Sequence, residues 1–411
     1  MVFVLDKDNN PLMPCTPVIA RLLLKQGKAK VKRRTPFTIK LKYDTTSYKQ
    51  DVVAGMDTGS KTIGCAAVAN GKVVYQAEVH VRQDVSRKME QRKMYRRNRR
   101  SRKTRYRKAR WLNRASSRRE GRLAPSIRSK IESHLREKKE VEAILPVSEW
   151  KVETASFDIA RISNPNIKEW GYQDGNQKGY YNLKAYILNR DGYKCQSGQR
   201  VKHDDVLEVH HIVFRSQGGT NSPDNLVTLC SSCHKALHAG EFELKGKRSK
   251  TRHATHMGVI KNQLKKLWNF TETFGFETKF KREQILQMPK SHANDAIAIC
   301  CEEGELVEDS PHLFIKKHVS AGDYRQTNGK RSEKRIPTGK LFGMRKFDYI
   351  KTAKGCGFVK GKRSSGFFAI SDVLGSVLGA KVNVKKDASR ITARNTTLIQ
   401  SFTKGAVASA L

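Results

Sequence analysis

Two sets of residues in this chain have the types and spacing to do chemistry. One reads Val209-His210-His211-Ile212, then Asp224-Asn225-Leu226, then Cys230-Ser231-Ser232-Cys233-His234. Histidine moves protons near neutral pH and ligates metals, so this run can hold an ion and activate a water. The other is broken into Gly55-Met56-Asp57-Thr58-Gly59-Ser60, Lys151-Val152-Glu153-Thr154 and His292-Ala293-Asn294-Asp295. Hydrolysis of a phosphodiester is helped by two divalent ions about 3.5–4 Å apart, held by hard carboxylates brought together in space. Asp57, Glu153 and Asp295 form such a set if the three segments meet on one sheet. His292 stands three residues before Asp295, so a helix puts both on one face and offers His292 as a general acid/base. Each signal is weak alone: a Gly-x-Asp-x-Gly-Ser run is more often just a turn, and Glu153 by itself passes for a surface carboxylate.

The histidine set is more specific. His211, Asn225 and His234 fall in the order of an HNH motif, in which a hairpin and a helix clamp one metal. On that pattern His211 is the general base, His210 and His234 ligate the ion, and Asn225 fixes the loop or orients His211. The alternative is a purely structural metal knuckle. His238, four residues beyond His234, reads as a packing residue rather than a neighbour of the metal. Cys230-x-x-Cys233 is half of a zinc knuckle. Its upstream half is Cys195-Gln196-Ser197-Gly198, one thiol short. Cys195, Cys230 and Cys233 then either hold zinc with a histidine such as His203 or mark a decayed site, and the missing cysteine weighs against zinc.

The elements that must position these groups are legible in outline. Phe3-Val4-Leu5 is a short strand, Thr16 caps a helix over 17–26 closed by Gly27, and Phe37, Ile39, Leu41 and Tyr43 alternate as a strand. Ile63 to Val68, Asn70-Gly71 and Val73 to Val81 read as a hairpin, with Asp57 near the tip of the strand before it. Trp150 to Glu153 restarts the sheet. Apolar spacing predicts helices over 258–274 and 293–303. From Lys316 on, basic residues and Gly-rich turns suggest a separate small β-rich domain.

Lysine and arginine number 81 against 39 acidic residues, a net charge of +42, so a polyanionic partner is expected. The charge is densest after residue 84. Arg92, Arg96, Arg97, Arg99, Arg100, Arg102, Arg105, Arg107, Arg110 and Arg114 share a region whose carboxylates are few. A helix so charged repels itself unless phosphates run along it, and planar guanidinium groups suit phosphate. Tyr95, Tyr106 and Trp111 interleave as stacking surfaces. No run of about 18 apolar residues exists to span a bilayer, and no signal peptide opens the chain. The eight scattered cysteines form no disulfide framework, so a reducing cytoplasm is expected.

Together these residues resemble the IscB family, transposon-encoded RNA-guided nucleases related to the CRISPR type II effectors. Pro11-Leu12-Met13-Pro14 is similar to the motif of that family's N-terminal domain, expected over 1–50. The resemblance implies an α/β multidomain protein with an RNase H-like (RuvC) mixed sheet split into segments 51–83, 141–165 and 257–315. It implies an arginine-rich bridge helix region over 84–140, an inserted ββα-metal HNH domain over 181–244 and a small β-rich C-terminal domain over 316–411 that reads a flanking DNA motif. It implies two Mg2+ ions in the RuvC site and one in the HNH site, with Mn2+ as a substitute. The implied partners are a guide (omega) RNA and duplex DNA, with a monomeric protein in a prokaryotic, nucleoid-associated ribonucleoprotein. The HNH site would cut the guide-paired strand and the RuvC site the displaced one. The rival readings are a guide-independent homing-type HNH endonuclease and an RNA-binding transposon factor with dead sites.

Overall fold

The computed structural model describes residues 1–46, 48–103, 122–154, 182–199, 202–214, 221, 223–244, 251–302, 304–321, 340–363 and 365–404. It divides into two compact units, Met1–Ala155 with Val259–Leu411, and Ser156–Gly258. The architecture is mixed α/β with separate sheets.

The larger unit opens with a small sheet in the strand order Pro11–Cys15, Val2–Leu5, Thr38–Leu41, Ala29–Arg33. The expected helix spans Pro17–Lys25. The Thr16 hydroxyl accepts the Ile19 N–H, and Gly27 (φ +70°) turns the chain after it. Val2, Val4, Leu12, Ile39 and Leu41 share one buried cluster with Ala20 of the helix.

Within the described residues the main sheet runs Thr271–Thr273, Glu149–Glu153, Val53–Asp57, Thr62–Ala69, Lys72–His80, His312–His318, Thr397–Thr403. Asn70 and Gly71, both at positive φ (49° and 64°), make the predicted tight reversal between its two longest strands. Val53–Asp57 and Glu149–Glu153 are parallel, with Asp57 opposite Glu153. Helix His292–Cys300 packs on this sheet, its first turn capped by Ser291, whose hydroxyl accepts the Asn294 N–H. Two glycines let it come close. A Cβ on Gly55 would lie 2.3 Å from the Ala296 carbonyl oxygen, and one on Gly64 would lie 1.8 Å from that of His292. Any side chain there would push the helix, and the residues it carries, off the sheet.

Two boundaries differ from the sequence reading. The helix expected over 258–274 spans Thr251–Leu267, after which Trp268 turns in against Trp150 (ring centroids 5.0 Å) and Thr271–Thr273 joins the sheet edge. The expected break at 316 falls inside strand His312–His318, and Thr397–Thr403 pairs with that strand, so both ends of the tail belong to the main sheet. Lys316 is 1% exposed and bound to Glu137. Between those ends lies the predicted small β-rich portion, a sheet in the order Val377–Asn383, Phe367–Ser371, Gly355–Lys362, Tyr349–Thr352, Ser389–Thr392.

The arginine-rich region forms helix Val85–Lys103, and helix Pro125–Glu142 follows. Arg92, Arg96 and Arg97 are exposed. Arg99, Arg100 and Arg102 lie in the first helix, while Arg105, Arg107, Arg110 and Arg114 lie outside the described residues. No helix among the described residues is long and apolar enough to cross a membrane.

Helix Pro125–Glu142 buries His134 completely, with its Nδ1 2.8 Å from the Lys130 carbonyl oxygen. Burial pushes its pKa down to about 4, and burial pushes that of His318 to about 3, with Arg136 and Lys316 adding and Glu140 opposing. Both are neutral in the folded chain and titrate near 6.5 when unfolded. As pH falls below about 6.5 the unfolded chain takes up protons that the folded one refuses, so stability is lost down to the folded values. Melts between pH 7 and 4.5 are expected to show a falling Tm, with a contribution from His134 on the order of 3 kcal/mol. The slope should flatten in His134→Leu.

Candidate functional site

The sheet and its helix bring the carboxylate set together. Asp57 ends strand Val53–Asp57, Glu153 ends the neighbouring strand in register with it, and Asp295 lies in the first turn of helix His292–Cys300. His292 Nδ1 is 2.6 Å from Asp57 Oδ2, and the Thr58 hydroxyl donates to the Glu153 carbonyl at 2.7 Å. Burial raises the Glu153 pKa. A hydrogen bond from Thr278 opposes that shift, and the Asp57 and Asp295 charges add to it. Asp295 is likewise raised, by burial and then by Asp57, against Arg282. The hydrogen bond to Asp57 raises His292. Carboxylates that raise one another's pKa are costly to keep together unless cations offset them, as a divalent-ion site does. Arg282, 4% exposed, contributes part of that offset through an ion pair to Asp295 (Nε–Oδ1, 2.7 Å). Nothing in the sequence singled it out.

The smaller unit builds a second site on a hairpin and a helix. Leu207–His211 pairs antiparallel with Leu226–Cys230, placing His210 opposite Val227 and His211 opposite Leu226. Helix Ser231–Ala239 follows and ends at Gly240 (φ +83°). Asn225 ties the loop down. Its Oδ1 accepts the Val213 N–H at 2.8 Å, its Nδ2 donates to the Val213 carbonyl at 3.1 Å, and its own carbonyl accepts the Ile212 N–H. These contacts fix the loop. Asn221 meets His211, its Oδ1 2.9 Å from Nε2. That contact assigns the hydrogen to Nε2 and leaves Nδ1 with the lone pair a general base needs.

Ligand atoms of His210, His234 and His238 all lie within 4.8 Å of one another. His238 therefore corrects the packing role expected for it: it stands one helical turn from His234 and joins the cluster. His210 is 5% exposed and its Nδ1 is buried with no hydrogen-bond partner among the described residues. Burial, then the charges of His234, His238 and His211, push its pKa to about 4, so it is a neutral ligand at any pH of interest. Glu208 Oε2 lies 3.1 Å from His234 Nδ1 and fixes that ring, as carboxylates do behind metal-binding histidines.

The cysteines of the half knuckle come together with a histidine. Ligand atoms of Cys195, His203, Cys230 and Cys233 lie within 4.8 Å of one another, and His203 Nδ1 is 3.5 Å from both the Cys230 and the Cys233 sulfur. Three thiols and one imidazole fit a tetrahedral ion. Among the described residues the hydrophobic cluster of this unit has Val227, Leu229 and Leu237 as its buried members, a small core that a metal staple would reinforce.

Residues 194–240 match the family described as HNH endonuclease. This chain carries an HNH endonuclease domain. Residues 2–175 match the family described as RRXRR protein, so a RuvC-like RRXRR domain is fused to the HNH domain. The chain is similar to the type IV methyl-directed restriction enzyme EcoKMcrA of Escherichia coli strain K12, 37% identical over 62 residues, 14% of this chain and 22% of that enzyme. It thus spans about a fifth of that relative's length. It is also 33% identical over 70 residues to Anaredoxin of a Nostoc species, 16% of this chain and 90% of that protein. Over those 70 residues the two belong to one family. The HNH domain, with its histidine and cysteine clusters in place, supports a metal-dependent nuclease activity.

Proposed function

We propose that this protein is an RNA-guided double-strand DNA endonuclease of IscB type. The observation that carries the reading is the presence in one basic chain of two chemically different hydrolytic sites, the Asp57–Glu153–Asp295 set and the HNH histidines. A single site that cuts one phosphodiester at a time does not need a second of another design. Two sites with an arginine-rich helix fit a division of labour, one per separated strand.

In the HNH domain His211 takes the proton from water through Nδ1 while Asn221 holds its other nitrogen. His210, His234 and His238 would hold an ion that steadies the scissile phosphate and the leaving oxygen. Three imidazoles suit a transition ion such as Zn2+, Fe2+ or Ni2+ better than the Mg2+ implied by the resemblance, because Mg2+ prefers oxygen donors. In the RuvC-like domain Asp57, Glu153 and Asp295 would hold Mg2+ or Mn2+, and His292, oriented by Asp57, moves the proton. Cys195, His203, Cys230 and Cys233 would hold structural zinc. The expected result is one tightly held zinc per chain by elemental analysis, lost in Cys230→Ser and in His203→Ala together with the folded HNH domain. Zinc retained in both variants would remove that assignment.

Nucleic acid has a second foothold besides the arginine helix. A cleft of about 710 Å³ is lined by Lys61, Arg82, Arg87, Lys317 and Lys346, with Asp84 the one carboxylate among its lining residues. With many phosphates neutralised, affinity for duplex or RNA is expected to fall about 10³-fold or more between 50 and 200 mM salt. Flat salt dependence in a filter-binding titration would contradict the phosphate-tracking role of this surface. The function itself is tested by treating the purified ribonucleoprotein with ribonuclease. Cutting of duplex DNA should vanish and return when the RNA is restored. Undiminished cutting at a fixed sequence would favour the homing-type alternative.

A further inference from the structure

Next to Glu153 the RuvC-like unit exposes aromatic surface that packing does not explain. Strand Thr271–Thr273 lies parallel to Glu149–Glu153, with Thr273 opposite Glu153. The chain then turns at Phe274 into the short helix Gly275–Phe280. Phe274 and Phe276 stack on each other, ring centroids 6.0 Å apart and planes 9° from parallel. They are 43% and 72% exposed, and Phe280 is 57% exposed. Burying a phenylalanine is worth about 1.5–3 kcal/mol, so three left in solvent within seven residues mark a surface that meets something else. The residue between the stacked pair touches the carboxylate site: a Cβ on Gly275 would sit 2.9 Å from Glu153 Oε1.

We propose that Phe274 and Phe276 form a stacking platform that seats a base of a single nucleic-acid strand beside Glu153, fixing which phosphate reaches the carboxylates. This rests on the reading of the carboxylate site as the one that cuts a separated strand. The occupant follows from the chemistry around the rings. Bases in a duplex already cover each other's faces, whereas an unpaired base offers a free π-face of any sequence. Lys279, exposed on the same short helix and paired with Glu283 at 3.9 Å, and the exposed Lys290, close enough to Asp295 to lower its pKa, supply cations that suit the phosphates of such a strand. Gly275, between the rings, leaves no room for a side chain against Glu153, so the platform sits directly beside that carboxylate. A protein segment would gain from the apolar rings but not from the cations and the carboxylates together, which match a phosphodiester backbone carried by divalent ions.

The test uses the full chain, as its ribonucleoprotein, without added divalent ions so that nothing is cut. The probe is a DNA duplex with a pre-opened bubble carrying 2-aminopurine in the unpaired strand. Wild type should quench the probe. Phe274→Ala/Phe276→Ala should lose the quenching and bind the unpaired strand about 10- to 100-fold more weakly, as expected when stacked aromatic contacts are removed. Phe274→Trp/Phe276→Trp should restore both. In metal the alanine pair should raise KM for nicking that strand far more than it lowers kcat. Wild type should bind an abasic strand as weakly as the alanine pair binds a normal one. Unchanged quenching and affinity in a folded alanine pair would overturn the proposal. So would a shift in oligomeric state alone, which would make the rings a contact between copies. Continued cutting of that strand by Asp57→Ala would instead remove the catalytic reading and leave the binding result standing on its own.

Discussion

Asp57→Ala is expected to slow cutting of the displaced strand by about 10³-fold or more while leaving the guide-paired strand cut at its normal rate, so the product is a nicked duplex. Asp57 stands opposite Glu153 in register and holds His292 at 2.6 Å. Its loss removes a metal-holding carboxylate and the orientation of the acid/base together, several kcal/mol of transition-state stabilisation. The HNH domain should not notice, because its hairpin, its three imidazoles and its Asn221–His211 contact involve none of these residues. His211→Ala should give the opposite nickase, slowed by about 10²–10⁴-fold on the guide-paired strand, the usual worth of a general base. Strand-specific end labels separate the two products. Cutting of both strands by either single variant would end the division of labour.

Lys316→Ala is expected to be the most destabilising single change in the RuvC-like unit. Its Nζ donates to both oxygens of Glu137 at 2.8 Å and to Glu140 Oε2 at 3.0 Å, and the Tyr75 hydroxyl donates to Glu137 Oε1 at 2.7 Å. Burial opposes the charge on Lys316, but Glu137 and Glu140 outweigh it and hold its pKa above the usual value. Removing the ammonium leaves the wholly buried Glu137 uncompensated at a cost of about 3–5 kcal/mol. For a chain this size that is a fall of roughly 3–6 °C in Tm. Lys316→Met/Glu137→Gln should recover most of the loss, because it removes both charges. An unchanged melt for Lys316→Ala would mean that the pair does not tie helix Pro125–Glu142 to the sheet.

Much of this was legible in the residues themselves. Period-two and hairpin signals located strands Val53–Asp57, Thr62–Ala69, Lys72–His80 and Glu149–Glu153, because each is buried on a face and carries apolar residues accordingly. What escaped was set by contacts far apart in sequence. Gly55 and Gly64 read as turn or strand filler until the helix they admit is in place. Arg282, Glu208 and Asn221 are ordinary surface types whose roles come only from the partner each meets. His238 sits at helical spacing from His234, which suits packing and metal binding equally. Nothing in the basic tail announces that Lys316 is buried against Glu137 and Glu140.

The account turns on the RNA choosing where the two sites act. The most direct measurement is to replace the guide segment of the co-purifying RNA with a new sequence and map cuts on both strands of a plasmid carrying its complement. The account predicts that both cuts move to the new complement. The strand paired with the RNA would be lost selectively in His211→Ala and the other in Asp57→Ala. Cuts that stay at the original site, or fall at one fixed sequence whatever RNA is bound, would contradict it.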